Sequence, residues 1–288
     1  MTARRIDGKA KAQHVRNEVK VRVDSLRNQG IVPRLDVILV GDHAPSQIYV
    51  KYKQKAAEEI GIDSQVHHVS QEATYSEIQE RVTRLNQDPD VHGILLQLPL
   101  PSHITAQDTF EILSHISPRK DVDGLHPLNQ GLIGTDQTGF IACTPLGCMR
   151  LIEQEMGTDL SGKSAVVIGR SRIVGRPMAQ LLTAANATVT VCHSRTQNLS
   201  EYTQKADLVV AAAGVPCLLK AEDIKEGAVV IDVGIHRLEG RKLCGDVDTL
   251  AVAEKASAIT PVPGGVGPMT IASLMNNVCL AAERSILK

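Results

Sequence analysis

Apolar, β-branched runs alternate along this chain with stretches of helical period almost from end to end. Leu35 to Val40 reads as a buried strand, and an amphipathic helix follows from about Ser46 to Ile60. Ser64 to Val69 is a second strand and Ser76 to Leu85 a helix. Val91 to Gln97 is a third strand, running into Leu98-Pro99-Leu100-Pro101. Residues 10–29 precede this set as an opening helix. A βαβα rhythm of this kind predicts a parallel sheet with helices on both faces.

From Gly162 the rhythm restarts, with strands expected at Ser164–Ile168, Thr188–Cys192, Leu208–Ala212, Ala228–Val233 and Ser257–Ile259. Helices are expected near 174–185, 199–205 and 221–225, and a last one over about 270–286. The stretch 138–145, with Thr138-Gly139 and Thr144-Pro145, reads as the boundary. The fold class expected is therefore α/β, two α/β domains with parallel sheets. The first spans 1–140 and is completed by the C-terminal helix 270–288; the second spans 141–269. Ligands of such sheets bind beyond the carboxyl ends of the strands. A site in the cleft between the domains is the natural expectation.

Composition narrows the function classes. The 288 residues hold 31 basic and 32 acidic side chains, a net charge of -1, with no long block of one sign. Aromatics are 2% and Trp is absent, so neither a basic nucleic-acid surface nor a base-stacking platform is expected. The polar N-terminus has no apolar h-region, and no run approaches the roughly 18 apolar residues of a membrane span. The expectation is a soluble, cytoplasmic protein without a membrane partner. Six cysteines at 143, 148, 192, 217, 244 and 279 form no C-x-x-C pair, which favours reduced, buried thiols and no metal site.

Several segments carry candidate chemistry. Pro261-Val262-Pro263-Gly264-Gly265-Val266-Gly267-Pro268-Met269-Thr270 has little side-chain bulk and immediately precedes a helical pattern, so a ligand can lie against its backbone. Val166 to Gly175 reads as strand, glycine turn and helix start. It departs from G-x-G-x-x-G, because Ser171 replaces the second glycine and the third arrives one step late, at Gly175. An ordinary βα turn would look much the same, although amides at a helix N-terminus can hold a phosphate. About twenty residues on stands His193-Ser194-Arg195, where an NAD site would carry an acid on the ribose. A hydroxyl and a cation there, with Arg170, suit a 2′-phosphate and favour NADP. Ala211-Ala212-Ala213-Gly214 and Asp232-Val233-Gly234 end two further strands with small residues. In the first domain Tyr49 and Lys53 stand at i and i+4 and so share a helix face. A lysine on a helix is ordinarily a solvated surface residue. Gln97 and Asp121, however, also fall in loops at strand ends, where catalytic groups collect. The paired acids of Lys120-Asp121-Val122-Asp123-Gly124 would fit a plain turn equally well.

Taken together, Ser46-Gln47-Ile48-Tyr49-Val50 with Lys53, Gly93 to Pro101, Lys120 to Gly124, Gly169-Arg170-Ser171 with Ile173-Val174-Gly175, and the Pro/Gly segment resemble the bifunctional methylenetetrahydrofolate dehydrogenase/methenyltetrahydrofolate cyclohydrolase family, in order and spacing over essentially the whole chain. His43-Ala44-Pro45 departs from the order common in that family. The resemblance implies NADP-dependent oxidation of 5,10-methylenetetrahydrofolate, then hydrolysis of the methenyl product to 10-formyltetrahydrofolate. It implies Lys53 as the catalytic lysine, Gln97 as the residue that positions it, and Asp121 as an acid of the site. Tyr49 would lie along the p-aminobenzoyl group, Asp123 would accept from the pterin, and Gly264, Gly265 and Pro268 would line the floor. Gly169, Arg170, Ser171, Ser194, Arg195 and Ile235 would hold the cofactor. A homodimer joined through the nucleotide domains, in purine biosynthesis, goes with that resemblance. Two alternatives stay open: a dehydrogenase with weak or absent cyclohydrolase activity, and a non-catalytic NADP-binding protein.

Overall fold

The β-branched runs form strands and the periodic stretches form helices, in the order β1 (Arg4–Arg5), α1 (Gly8–Asn28), β2 (Arg34–Val40), α2 (Ala44–Glu59), β3 (Asp63–Val69), α3 (Tyr75–Gln87), β4 (Gly93–Leu96), α4 (Ala106–His115), α5 (Pro127–Ile133), α6 (Cys143–Met156), β5 (Ser164–Ile168), α7 (Gly175–Ala184), β6 (Thr188–Cys192), α8 (Leu199–Thr203), β7 (Leu208–Ala211), β8 (Val229–Asp232), β9 (His236–Arg237), β10 (Leu243–Cys244), α9 (Thr249–Val252), β11 (Ala258–Ile259) and α10 (Val266–Ile286). This computed structural model describes residues 2–135, 137, 139–238 and 243–286; Thr138 of the expected boundary lies outside them. The chain divides into two units. One holds the residues up to Ala12 with Thr144–Thr270, the other Gln13–Cys143 with the stretch from Ile271.

In the unit of Gln13–Cys143, a parallel three-stranded sheet has the order β3-β2-β4. Ile38 and Val40 of β2 alternate with Ile94 and Leu96 of β4 on one face, over Ile78, Val82 and Leu85 of α3 and Ile112 and Leu113 of α4. Two capping boxes start these helices: Thr74 with Glu77, and Thr105 with Asp108. The stretch from Ile271 packs here. Arg22 of α1 pairs with Glu283 at 2.6 Å and donates to Asn276 Oδ1 at 2.9 Å. Asn277 Nδ2 donates to the carbonyls of Val122 (2.9 Å) and Ile141 (3.0 Å).

In the other unit six parallel strands take the order β1-β11-β8-β7-β5-β6. Val166, Ile168, Val209, Ala211, Val230 and Ile259 supply the strand side of its core. Beside it lies the antiparallel pair β9–β10, which the periodicity did not foretell. Three expectations change. The first residues belong to this unit rather than to the first domain, because Arg4 and Arg5 pair with Ala258 and Ile259 on the sheet edge. The boundary stretch is not all loop: α6 begins at Cys143 and carries Pro145 in its first turn, where a missing N–H costs no helical bond. For the same reason α10 starts at Val266, inside the Pro/Gly segment, with Pro268 in its first turn.

Candidate active site

Helix α2 and strand β4 place the central pair of the first unit. Ser46, buried at the start of α2, shares a 2.9 Å hydrogen bond with His43 Nδ1, which fixes the entry of the helix. One turn on, Tyr49 is 38% exposed. A further turn brings Lys53, whose Nζ donates to Gln97 Oε1 at 2.9 Å. Gln97 is held at both ends. Its backbone N–H continues the ladder to Ile38 O (2.9 Å), and its side-chain Nε2 donates to Leu98 O (2.7 Å). With the amide nitrogen committed, the oxygen must face the lysine.

Burial pulls the Lys53 ammonium below its ordinary value, and the carboxylate of Asp123 works against that. Behind this pair lies Cys143, its Sγ 3.3 Å from Val122 O and its thiol pushed well above the ordinary value by burial and by Asp123. The sequence placed Cys143 only among buried thiols. Cys143 is the first residue of α6, and no spacing rule reveals that it lies against Asp123.

The two acids of the Lys120–Gly124 turn separate cleanly. Asp121 is 1% exposed, and its carboxylate accepts from Leu125 N (3.1 Å), His126 N (2.8 Å) and Asn129 Nδ2 (2.8 Å). Burial nevertheless raises it to about 7. Its geometry is that of a staple for the turn into α5. Asp123 is half-buried and is the acid whose charge reaches Lys53. Lys120 is also structural, donating to the carbonyls of Leu85, Asn86 and Asp88 at the end of α3.

In the unit of the six-stranded sheet, β5 ends at Gly169 with φ +117°, and a Cβ there would lie 2.1 Å from Ala212 O. A Cβ on Gly175 would lie 2.2 Å from Gly169 O. The late third glycine is thus required by the turn itself. Ser171 Oγ accepts from Val174 N (3.2 Å) and Gly175 N (3.4 Å), so it serves the start of α7 where a glycine is usual. Because Ile168 pairs with Cys192, Gly169-Arg170-Ser171 and His193-Ser194-Arg195 emerge side by side at the carboxyl ends of β5 and β6, with Gly169 N donating to Cys192 O (2.8 Å). Arg170, Ser194 and Arg195 are exposed there. Ile235 is 45% exposed, and its Cδ1 would stand 3.8 Å from a Cβ on Gly267 at the start of α10. In the Pro/Gly segment Gly264 has φ +105°, and Gly265 is closely backed by Gly8, whose Cβ would fall 1.9 Å from Gly265 O.

A buried network absent from the sequence reading supports these loops. Asp232 accepts from Gly234 N (3.1 Å), Asp246 N (2.9 Å) and Val247 N (3.1 Å), and burial raises it to about 7. Asp246 accepts from Ala213 N (2.6 Å) and Gly214 N (3.0 Å) and pairs with His236 at 2.7 Å. The small-residue turn after β7 is therefore held from below by a carboxylate.

Two family models match the chain: the tetrahydrofolate dehydrogenase/cyclohydrolase catalytic domain over residues 6–123, and the NAD(P)-binding domain of the same name over 142–286. The "Bifunctional protein FolD" of Campylobacter concisus (strain 13826) is 54% identical over 283 residues, covering 98% of this chain and 99% of that protein. The crystal structure of the bifunctional enzyme FolD, a methylenetetrahydrofolate dehydrogenase/cyclohydrolase from Campylobacter jejuni, is similar at TM-score 0.93 and 51% identity, covering 97% of this chain and 98% of that one. The Trypanosoma brucei dehydrogenase-cyclohydrolase, solved with NADP cofactor and inhibitor, superposes at TM-score 0.93 with 38% identity and full coverage of both chains (100%).

Proposed function

Because the chain belongs to the tetrahydrofolate dehydrogenase/cyclohydrolase family, we propose that Lys53, set against Gln97 and Asp123, is the proton-transfer group of a bifunctional folate enzyme. The enzyme oxidises 5,10-methylenetetrahydrofolate to the 5,10-methenyl cation with NADP and hydrolyses that cation to 10-formyltetrahydrofolate. The cradle of Gly169 and Gly175, which has no room for a Cβ, fits a pyrophosphate laid against backbone amides at the start of α7. Arg170, Ser194 and Arg195 would hold the 2′-phosphate, and Ile235 would flank the cofactor. When bound, NADP+ supplies the hydride acceptor. The Pro/Gly segment, with Gly264, Gly265 and Pro268, leaves backbone bare for close approach of ligand.

Hydrolysis is where the side chains act on protons. Water attacks the one-carbon bridge, the new C–O bond forms, and a proton must leave the oxygen. The ring C–N5 bond then breaks, and N5 needs a proton. One amine that gives and takes a proton near neutral pH serves both needs. Ordinary lysine, at about 10.4, is too basic for this. Desolvation of Lys53 moves it in the required direction, and Gln97 Oε1 holds it in place in either protonation state. That lowered, anchored lysine is the observation that carries the reading, and it favours the bifunctional enzyme over a dehydrogenase with weak hydrolysis. Asp123 is free to accept from the pterin, Tyr49 offers its face to the p-aminobenzoyl ring, and Asp121 keeps the turn in shape. Among the described residues no helix is long and apolar enough to cross a membrane. A cytoplasmic homodimer contributing to purine biosynthesis goes with this reading.

Lys53→Met tests it. The methenyl absorbance should decay at least ~100-fold more slowly, the usual contribution of a general acid–base group, while NADP+ binding by fluorescence titration stays within about twofold. Hydrolysis at near the parent rate would show that Lys53 does not move the proton.

A further inference from the structure

We propose that Cys217 and Cys244 form a redox-reactive dithiol, a modification site that closes to an intrachain disulfide in the presence of a small-molecule disulfide such as oxidised glutathione. The two cysteines are 27 positions apart in sequence and adjacent in space. Cys217 N donates to Gly245 O at 3.0 Å, Leu219 N to Asp246 O at 3.0 Å, and Leu219 bridges Val247 in parallel register. Residues 217–219 therefore run alongside 244–247, close enough for the Cys217 side chain to act electrostatically on the Cys244 thiol. Both are half-buried, unlike Cys143, Cys148, Cys192 and Cys279, which are buried. Gly214, Val215 and Pro216 beside them are exposed, so a small oxidant reaches the pair.

The backbone adds an independent observation. Cys217 has φ +51°, in the left-handed region that glycine occupies at no steric cost. A side chain there carries a steric cost that glycine does not. What the cysteine brings that glycine cannot is its sulfur, placed beside Gly245, the neighbour of Cys244.

The exchange balances with the named oxidant. Cys217, as thiolate, attacks one sulfur of oxidised glutathione, forming a mixed disulfide and releasing one glutathione thiolate. Cys244, whose thiol burial and Cys217 hold above its ordinary value, is the resolving thiol. It then loses its proton, attacks the Cys217 sulfur, forms the Sγ–Sγ bond and expels the second glutathione. The protein loses two electrons and two protons; the oxidant becomes two thiols. The product ties the turn after β7 to β10, next to the point where Asp246 already holds Ala213 and Gly214.

The test is incubation of the full chain with graded oxidised and reduced glutathione, followed by thiol counting and non-reducing peptide mapping. The expected result is loss of two thiols, a cross-linked peptide joining Cys217 to Cys244, no retained glutathione, and full reversal by dithiothreitol. Cys217→Gly, which suits the backbone and preserves folding, should form no cross-link and retain one glutathione on Cys244. Stable glutathione adducts on the parent without a cross-link, pairing of either residue with another cysteine, or no thiol loss in excess oxidant would each overturn the proposal.

Discussion

Gly8→Ala perturbs the Pro/Gly segment from outside it. A Cβ at residue 8 would stand 1.9 Å from Gly265 O, 2.6 Å from Gly265 C and 2.9 Å from Gly264 O. Ordinary contact begins near 3.4 Å, so the Gly265 carbonyl must retreat by about 1.5 Å or the start of α1 must move away. Neither side can turn a rotamer, since both are backbone. Moving α1 also pulls on Ile6 N, which donates to Ile259 O at 2.9 Å on the sheet edge. Overpacking of this kind costs about 1–3 kcal/mol, and a backbone-to-backbone clash belongs at the upper end. By helix propensity alone the same change would be neutral or slightly stabilising, since Gly8 is the first residue of α1 and the full ~1 kcal/mol applies to helix interiors, so the two effects differ. For activity, on the proposed role of the Pro/Gly segment as the floor of the folate site, misplacing it by ~1 Å costs on the order of 100-fold. The expected outcome is a folded protein with a lowered urea midpoint and kcat/KM for methylene-folate oxidation down about 100-fold. Gly131→Ala in α5, where a Cβ meets nothing within 4 Å, is the control and should be neutral or slightly stabilising. Unfolding and kinetics of Gly8→Ala both matching the parent would refute the claim that Gly8 sets the position of Gly265.

Two further predictions concern charge. Arg170→Ala should reduce the preference for NADP+ over NAD+, read as the ratio of kcat/KM values, by about 10- to 100-fold, the worth of a charge-assisted hydrogen bond to phosphate; an unchanged ratio would remove Arg170 from the phosphate site. Asp121 and Asp232 are both raised from 3.8 to about 7 in the folded chain, so between those values the fold binds protons that the unfolded chain has released. Their contribution to stability is complete below 3.8 and is lost as pH rises through 7. Urea midpoints measured from pH 6 to 8 should therefore fall with pH, less steeply in Asp121→Asn; a slope identical in both would mean that Asp121 does not titrate there.

The strands that could be read to within a residue were those that are continuous β-branched runs closed by glycine or a polar turn, as in β2, β5 and β6. β2 and β5 are buried on both faces, which leaves a signal that is local in sequence, whereas β6, at the sheet edge, is legible from its β-branched residues alone. β1 has no such signal, because Arg4 and Arg5 are exposed and become a strand only through pairing with Ala258 and Ile259. α6 was hidden by Pro145, which reads as a breaker unless the helix is known to begin just before it. α4 was legible in principle: Thr105 and Asp108 have the spacing of a capping box ahead of an apolar run. Within the site, helical period alone put Tyr49 and Lys53 on one face of α2. The Lys53–Gln97 bond joins residues 44 apart, and only the pairing of β4 with β2 decides where Gln97 lies.

The acids show why residue type and spacing stop short of a role. Asp121 and Asp123 are two positions apart in one turn, and as sequence either could serve a ligand. An ionised carboxylate offers about four lone-pair sites. Asp121 gives three of them to the turn that follows, and those donors come from Leu125, His126 and Asn129, none of which announces itself as a partner. In the nucleotide unit Asp232 is consumed in the same manner by the amides of Gly234, Asp246 and Val247. Each unit thus spends a buried acid on holding a loop in shape. The acid left with free acceptors beside Lys53 is Asp123, and it is the one that tunes the lysine. Assigning chemistry to a carboxylate therefore requires counting the donors already on it, a quantity fixed by tertiary structure and invisible in the order of residues.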